Sequence, residues 1–256
     1  MTDVGASPPE GGFLPPGNAV EPTPGTFGSP VPGGSDMVHT VTTIDRAIKE
    51  RRDVDTELVN WWLYILLLSW ITFGIYGIVL FFKRINRIDG FSRRKSVYYE
   101  GVIEWTQRYA RQQGKEDAVH HQLDDLRGEV RHAHRNDLKP INAGISFLLC
   151  LVTIGFYGLW VLYRQNKYWW DAQVLEQDFD DKLSQAWTRL GIVRYPVNFS
   201  IDQSKRRSYW LYLGLSVVTI GIWGLVWDYK IQTDPDNLYG ELHGIEDTVL
   251  QTIRAA

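Results

Sequence analysis

The sequence predicts an all-α integral membrane protein of three repeated units, each an apolar hairpin or span followed by an amphipathic helix, with a disordered N-terminal tail. The first observation behind this fold class is that three stretches, residues 58–82, 140–163 and 208–227, contain no charged side chain. As a helix, each is about 30 Å or longer, which is the length needed for a membrane segment.

The second observation is a six-residue pattern in the middle of each stretch. It reads TFGIYG from Thr72, TIGFYG from Thr153 and TIGIWG from Thr219. A small side chain precedes each threonine by three residues, and an aromatic and then a cationic residue follow ten and eleven residues after it. This predicts three copies of one unit. The core positions are Thr72, Gly74, Tyr76, Gly77, Thr153, Gly155, Tyr157, Gly158, Thr219, Gly221, Trp223 and Gly224.

The chain divides into a tail and three units. Residues 1–38 are rich in Pro and Gly and bury too little apolar surface to offset the entropy of ordering, which predicts a disordered tail. Residues 39–118 hold the first repeat with its flanking helices, 119–190 a linker helix and the second repeat, and 191–256 the third repeat with a C-terminal helix. The tail also lacks the basic start and apolar stretch of a signal peptide.

Beyond each apolar stretch, apolar residues recur with the period of an amphipathic helix. These apolar stripes need partners. They could pack on one another as a cytoplasmic bundle, lie on the membrane or bind another protein.

Each apolar stretch could be a continuous span or a hairpin that turns at its threonine. Three spans distribute the flanking Lys and Arg residues almost equally between the two faces of the membrane, whereas three hairpins place all of them on one face. The positive-inside rule then makes that face cytoplasmic. A threonine hydroxyl can also accept from the unpaired amides that begin a new helix, and glycine permits a tight turn. These arguments favour hairpins over spans.

Cationic side chains beside the apolar stretches are candidates for contact with lipid phosphates. Asp228, within the third unit, would cost about 2.5–3.5 kcal/mol at the centre of a bilayer. It is therefore predicted to lie near an interface or inside a helix bundle. The headgroup candidates are Lys83, Arg93, Arg94, Lys95, Arg164, Lys205, Arg206 and Arg207.

The sequence contains few residues in patterns typical of catalysis or metal binding. His120, His121 and Asp125 form the one ligand-like cluster, but a metal site needs three or four converging ligands, and the surrounding charges are typical of a solvated helix face. Phosphate-binding glycine loops, serine nucleophile elbows, zincin motifs and paired cysteines are all missing from the sequence. The sequence therefore predicts neither an enzyme nor a cofactor.

The chain resembles a family of small prokaryotic membrane proteins, the domain of unknown function 4234 family. That family combines a leucine-rich run, a Thr-x-Gly-(Ile/Leu/Phe)-(Tyr/Trp) core and a trailing aromatic-basic segment. The resemblance implies a membrane location and a bacterial source, and it implies no reaction. The third copy departs from the pattern at Asp228. The matching positions are Thr72, Gly74, Ile75, Tyr76, Thr153, Gly155, Phe156, Tyr157, Thr219, Gly221, Ile222 and Trp223.

The predicted function is that of a non-enzymatic bacterial scaffold in the cytoplasmic membrane, with its soluble parts facing the cytoplasm, which organises or shapes membrane or recruits a partner. Its predicted partners are the bilayer with its anionic headgroups, a protein bound through the cytoplasmic helices or the tail, and a second copy of the chain. Nucleic acid is not among them, because the pI near 6.1 and the apolar stretches beside the basic residues favour lipid headgroups. The alternatives are a small transporter or channel subunit and a metal-sensing membrane protein.

Overall fold

A computed structural model describes residues 34–55, 58, 60–72, 75–192, 199–201 and 206–256 of the chain, and every regular element among them is helical. The elements are α1 (Gly34–Val54), α2 (Trp61–Leu63), a π-helix (Tyr64–Leu68), α3 (Ser69–Ile71), α4 (Ile75–Gln112), α5 (Glu116–Arg135), α6 (Ala143–Val152), α7 (Phe156–Leu190), α8 (Tyr209–Val218) and α9 (Ile222–Ala255). The all-α prediction is confirmed.

The first helix begins inside the segment predicted to be a disordered tail. It starts at Gly34, four residues before the predicted boundary, and its first turn is stabilised by the Thr40 hydroxyl, which donates to the Asp36 carbonyl at 3.0 Å. The rest of the predicted tail, residues 1–33, lies outside the described residues.

The long helices α4 and α7 run in parallel, side by side. Near their starts the Tyr168 hydroxyl donates to the Ile88 carbonyl at 3.4 Å, and near their ends Trp187 Nε1 donates to Thr106 Oγ1 at 2.9 Å. Both contacts join positions about 81 residues apart, which is also the spacing between Thr72 and its counterpart in the second unit. The starts of the two helices therefore lie at the same level.

Helix α9 joins this pair with the same direction. Arg84 donates to Asp228 at 3.0 Å near the helix starts, and Arg94 donates to Glu246 at 2.8 Å further along. The three turns that precede the long helices consequently lie at one end of the bundle. Each long helix is continuous from its turn into its amphipathic half, whereas the sequence predicted an apolar element and a separate helix.

The apolar stripes of the long helices and of α5 pack on one another in one core. The sequence left three partners open for these stripes: one another, the membrane or another protein. In the structure they pack on one another as a bundle. The stripe residues that are at most 6% exposed are Tyr98, Val102, Trp105, Val119, Leu123, Leu126, Val130, Leu175, Phe179, Leu183, Trp187, Leu190, Leu238, Leu242, Ile245, Val249 and Ile253.

Helix α1 lies antiparallel against α4, where two glycines of α4 allow a close approach. A methyl group built on Gly90 would lie 2.7 Å from Cγ1 of Val54, and one built on Gly101 would lie 2.9 Å from Cγ1 of Ile44. Both distances are shorter than ordinary van der Waals contact. The two helices could not pack at this separation with larger residues at either position.

We expect Gly101→Val to lower the free energy of unfolding by about 1–3 kcal/mol, because the added side chain overpacks the contact with Ile44. The measurement is urea unfolding of the detergent-solubilised protein. Gly128→Val is the matched control, since Gly128 is an exposed helix residue with no atom within 4 Å of an added methyl group. Equal stabilities of the two variants would contradict the close packing of α1 on α4.

Within the described ranges, no helix has both the length and the apolar content required to cross a membrane.

Candidate functional site

Each apolar stretch consists of a short first arm, a turn and the start of a long helix. A polar N-cap begins each first arm: Asn142 accepts from a backbone amide at 3.0 Å, Ser208 at 3.4 Å and Asn60 at 3.0 Å.

The first arm of unit one is one residue longer from cap to threonine than the other two. Its π-helix, Tyr64–Leu68, takes up that extra residue, as a one-residue insertion into an α-helix does.

The motif threonine ends one helix and begins the next. Thr153 Oγ1 donates to the Leu149 carbonyl at 2.7 Å and accepts from the Tyr157 amide at 2.9 Å. One hydroxyl therefore bonds to a carbonyl near the end of the first arm, which also accepts from the Thr153 amide, and to an amide at the start of the long helix, a group that a helix leaves unpaired. The same bonds join Thr72 to Leu68 (2.6 Å) and Tyr76 (3.1 Å), and Thr219 to Leu215 (2.7 Å) and Trp223 (2.9 Å).

The turn itself uses left-handed backbone. Ile154 and Ile220 both have a φ of 51°, and the glycines that follow, Gly155 and Gly221, have φ values of 88° and 87°. A left-handed conformation is strained for a β-branched residue, whereas glycine adopts it freely. The corresponding glycine of the first unit, Gly74, lies outside the described residues.

The chain folds back at these turns. A methyl group built on Gly158 would lie 3.9 Å from Sγ of Cys150, and one built on Gly224 would lie 3.6 Å from Oγ of Ser216. Residues eight positions apart are about 12 Å apart in a straight helix. The two arms therefore form a hairpin. They lie close together where the last glycine of the motif faces the small residue three positions before the threonine. In the first unit, the corresponding neighbour of Gly77 is the Tyr64 hydroxyl at 3.4 Å.

The hairpin tips present apolar side chains to the surroundings. Ile154 is 90% exposed and Ile220 is 95% exposed, although both belong to a class of residue that proteins bury. Their neighbours continue the same surface at one end of the bundle. We call this surface the apolar tip surface; its members, all at least 64% exposed, are Trp70, Ile71, Ile75, Val152, Ile154, Phe156, Val218, Ile220 and Ile222.

A cation follows on each long helix about 12 Å from the helix start. These residues are Lys83, Arg164 and Lys230, at equivalent positions of the three units. Lys83 is exposed, Arg164 donates to the Lys139 carbonyl at 3.0 Å, and all three retain contact with solvent. Two of these three cations are among the predicted headgroup ligands.

Of the other predicted headgroup ligands, two are exposed to solvent and one is bound in an ion pair. Arg93 and Arg206 are exposed, and the Arg206 guanidinium lies 5.7 Å from the ring centre of Trp170. Arg207 forms an ion pair with Asp234. Lys205 lies outside the described residues.

Two of the predicted headgroup ligands, Arg94 and Lys95, are buried among carboxylates and are not exposed as headgroup ligands would be. The Arg94 side chain is 0% exposed and bonds to Asp55 at 2.6 Å and to Glu246 at 2.8 and 2.9 Å. Lys95 bonds to Glu176 at 2.9 Å and to Glu246 at 3.1 Å. We call these five residues the buried ion network; it joins α4, α7, α9 and the end of α1.

Neighbouring groups favour the charged forms of Glu246 and Arg94 within the buried ion network. Burial alone raises the pKa of Glu246, but Lys95 and Arg94 outweigh it and hold that pKa below its ordinary value of 4.5. The carboxylates likewise raise the pKa of Arg94, against the effect of burial. Burial and the adjacent Glu176 raise the pKa of Tyr99, whose hydroxyl donates to that carboxylate. The network is a structural element of the helix bundle.

We expect the stability of the bundle to fall in acid. A carboxyl whose pKa is depressed on folding stabilises the protein fully above its unfolded pKa, and that contribution is lost as pH falls through the folded pKa. For Glu246 the loss begins below about pH 4.5. Urea unfolding at a series of pH values measures this slope, which should be smaller in Glu246→Gln. The exposed Glu104→Gln serves as the control, and an unchanged slope in Glu246→Gln would refute the assignment.

Asp228 lies inside the helix assembly, as the sequence predicted. It accepts from Trp61 Nε1 at 2.9 Å and from Arg84 at 3.0 Å. Its charge is therefore paired, and the side chain is 28% exposed. This ion pair connects α9 to α4 directly below the hairpins.

The metal-ligand candidates of α5 do not converge. His120 Nε2 lies 3.3 Å from Asp124 Oδ2, and its ring centre is 5.8 Å from that of His121. Among the residues that the structure describes, no three His, Cys, Asp or Glu side chains are placed to hold one metal ion. Asp125 instead lines an open depression of about 680 Å³ between α5 and α7, which also contains His132.

One comparison with known proteins supports the resemblance drawn from the motif. Residues 207–252, which contain α8 and most of α9, match the family described as Domain of unknown function (DUF4234). No curated protein and no solved structure matches the chain. The third hairpin and its long helix are therefore similar to that family of unknown function.

Proposed function

We propose that this protein is a non-enzymatic scaffold of the cytoplasmic membrane, held by three hairpins that enter one leaflet, with its helical bundle in the cytoplasm. The observation that carries the proposal is the apolar tip surface. Contiguous exposed apolar patches are rare on soluble monomers and mark sites of interaction. The long helices and α5 bury their apolar stripes in one core, and most of the large apolar side chains that stay exposed lie on the hairpins, with the highest exposure at the tips.

The dimensions of the hairpins suit entry into a single leaflet. The first arms Ala143–Val152 and Tyr209–Val218 have 10 residues each, or about 15 Å, which is half the thickness of a hydrocarbon core of about 30 Å. The cations about 12 Å from the helix starts would then reach the headgroups with their apolar stems against the chains. The turns satisfy their own backbone groups through the threonine, as apolar surroundings require.

We further propose that the first two units are diverged copies of the domain matched by the third. The same pair of threonine hydrogen bonds occurs in each unit, each first arm has a polar cap, and the three long helices start at one level. Three similar wedges in one leaflet would expand it relative to the other. Bending or organising the membrane follows from that asymmetry, and the bundle would be available to a cytoplasmic partner.

Liposomes test both parts of the proposal. The purified protein should float with vesicles that contain anionic phospholipid, and rising protein-to-lipid ratios should convert large vesicles into smaller or tubular ones, as seen by electron microscopy. Vesicle size that stays constant while the protein floats would contradict membrane shaping and leave recruitment of a partner. Protein that stays in the aqueous fraction would contradict the whole proposal.

The geometry does not favour the transporter alternative. A polar path would need free hydroxyls between the units, but the motif threonines bond within their own hairpins, Ser216 donates to the Tyr212 carbonyl at 2.7 Å, and Asp228 is paired with Arg84. Solute flux in proteoliposomes that depends on Asp228 would restore this alternative.

A further inference from the structure

A cavity of about 340 Å³ lies beneath the hairpin turns, mainly between α4 and α7. Along α7 it extends from Gly155 at the turn to Gln165, which is about 15 Å. Its volume is at the lower end of the range of small-molecule sites. Apolar side chains form most of its walls, and Tyr64 also lines it, with its hydroxyl 3.4 Å from a methyl group built on Gly77. The apolar residues are Leu80, Phe81, Leu159, Val161 and Leu162.

The end of the cavity away from the turn is polar. Arg84, Gln165 and Asp228 line it. Arg84 donates to Asp228 at 3.0 Å and to Gln232 Oε1 at 3.0 Å, so that the cation and the carboxylate neutralise each other. The site therefore combines an apolar channel with a polar end that carries no net charge.

Two polar atoms at this end lack a hydrogen bond. Gln165 is 3% exposed, and neither its Oε1 nor Nε of Arg84 has a partner among the residues that the structure describes. A buried polar atom without a partner destabilises the folded state. The pair consists of one acceptor and one donor, and a hydroxyl group offers both a donor and an acceptor.

We infer that this cavity binds one single-chain lipid with an uncharged hydroxyl head, of the chemical class of the monoacylglycerols. The hydrocarbon chain occupies the apolar channel, and the hydroxyl donates to Gln165 and accepts from Arg84. A phosphate or carboxylate head is disfavoured, because Asp228 already balances the one cation at this end. The inference rests on the proposed insertion, which places the apolar end of the cavity at the depth of lipid chains.

The test is binding of 1-monooleoylglycerol to the detergent-solubilised protein, with stoichiometry from native mass spectrometry and affinity from titration. We expect one molecule per chain. Gln165→Leu should weaken binding about threefold to tenfold, through loss of one hydrogen bond. Gln173→Leu is the matched control, because Gln173 is another glutamine of α7 that is 3% exposed with an unpartnered Oε1, and it does not line the cavity.

A second pair of variants tests the channel. Leu159→Trp should fill it and abolish one-to-one binding, whereas Leu225→Trp, at the equivalent position of the third unit, should bind like the wild type. Circular dichroism and the melting temperature establish that each variant is folded. Equal affinities of Leu159→Trp and Leu225→Trp, or of Gln165→Leu and Gln173→Leu, would overturn the assignment of the site.

Charged lipids test the chemistry of the head. Oleate and lysophosphatidylglycerol should bind more weakly than 1-monooleoylglycerol, and tighter binding of either would overturn the uncharged head. Liposome flotation separates this inference from the proposed function. A protein that floats but binds no monoacylglycerol disproves only the cavity assignment, whereas a protein that does not float disproves the membrane proposal.

Discussion

Replacing Arg94 with Met is expected to lower the free energy of unfolding by about 3–5 kcal/mol. The guanidinium is fully buried and is the bonding partner of both Asp55 and Glu246. Methionine has a similar length and no charge, so the substitution leaves two carboxylates in the core with only Lys95 and His243 nearby. Uncompensated buried charge is among the most destabilising changes known for a single residue.

The neighbouring residue supplies the control for this prediction. Arg93 is exposed at the side of the same helix, and Arg93→Met should change the stability by less than about 0.5 kcal/mol. Urea unfolding followed by tryptophan fluorescence measures both variants. If Arg94 acted instead through lipid phosphates, Arg94→Met would fold with normal stability and bind anionic vesicles less tightly. That outcome would contradict the buried ion network.

The double substitution Ile154→Asp and Ile220→Asp is expected to reduce partitioning into vesicles at least about 100-fold. An aspartate costs about 2.5–3.5 kcal/mol at the centre of a bilayer, and each substitution also removes an apolar side chain from the tip surface. The fold should persist, because both side chains are at least 90% exposed and aspartate adopts a left-handed conformation more readily than isoleucine does.

A second double variant serves as the control, because it adds the same two negative charges at positions away from the hairpin tips. Val38 is 66% exposed on α1 and Val97 is 43% exposed on α4, both away from the hairpins. Vesicle flotation at a range of lipid concentrations should give Val38→Asp with Val97→Asp the affinity of the wild type, apart from a small effect of charge. Similar losses in the two double variants would show that the tips are not the membrane contact.

The hairpin turns follow from local chemistry that the sequence displays. A threonine that can bond to both helices, followed by glycine at the left-handed position, favours a break in an apolar run. The stripes of the long helices were readable for a similar reason, since a period of 3.6 residues places them on one face. Their packing partners could not be predicted, because an apolar stripe does not indicate which element packs against it.

The buried ion network shows where sequence reasoning failed. Arg94 and Lys95 follow Arg93 beside an apolar stretch and so resemble an anchor for headgroups. A signal was present, since Lys95 and Glu176 replace apolar residues at stripe positions and lie 81 residues apart, the spacing of the first two units. Charges on an apolar stripe indicate partners inside a bundle, but the identity of those partners depends on tertiary contacts.

Labelling of single cysteines in cells tests the central claim most directly, which is that the long helices all return to one side of the membrane. In a Cys150→Ser background, cysteines are placed at Val97, Gln185 and Gly244, exposed positions on the amphipathic halves of α4, α7 and α9. Insertion of hairpins from the cytoplasm predicts that an impermeant thiol reagent labels all three only after the cells are opened. Labelling in intact cells of the cysteine at position 185 alone, or of those at 97 and 244 without 185, would place the helices on opposite faces and contradict the account.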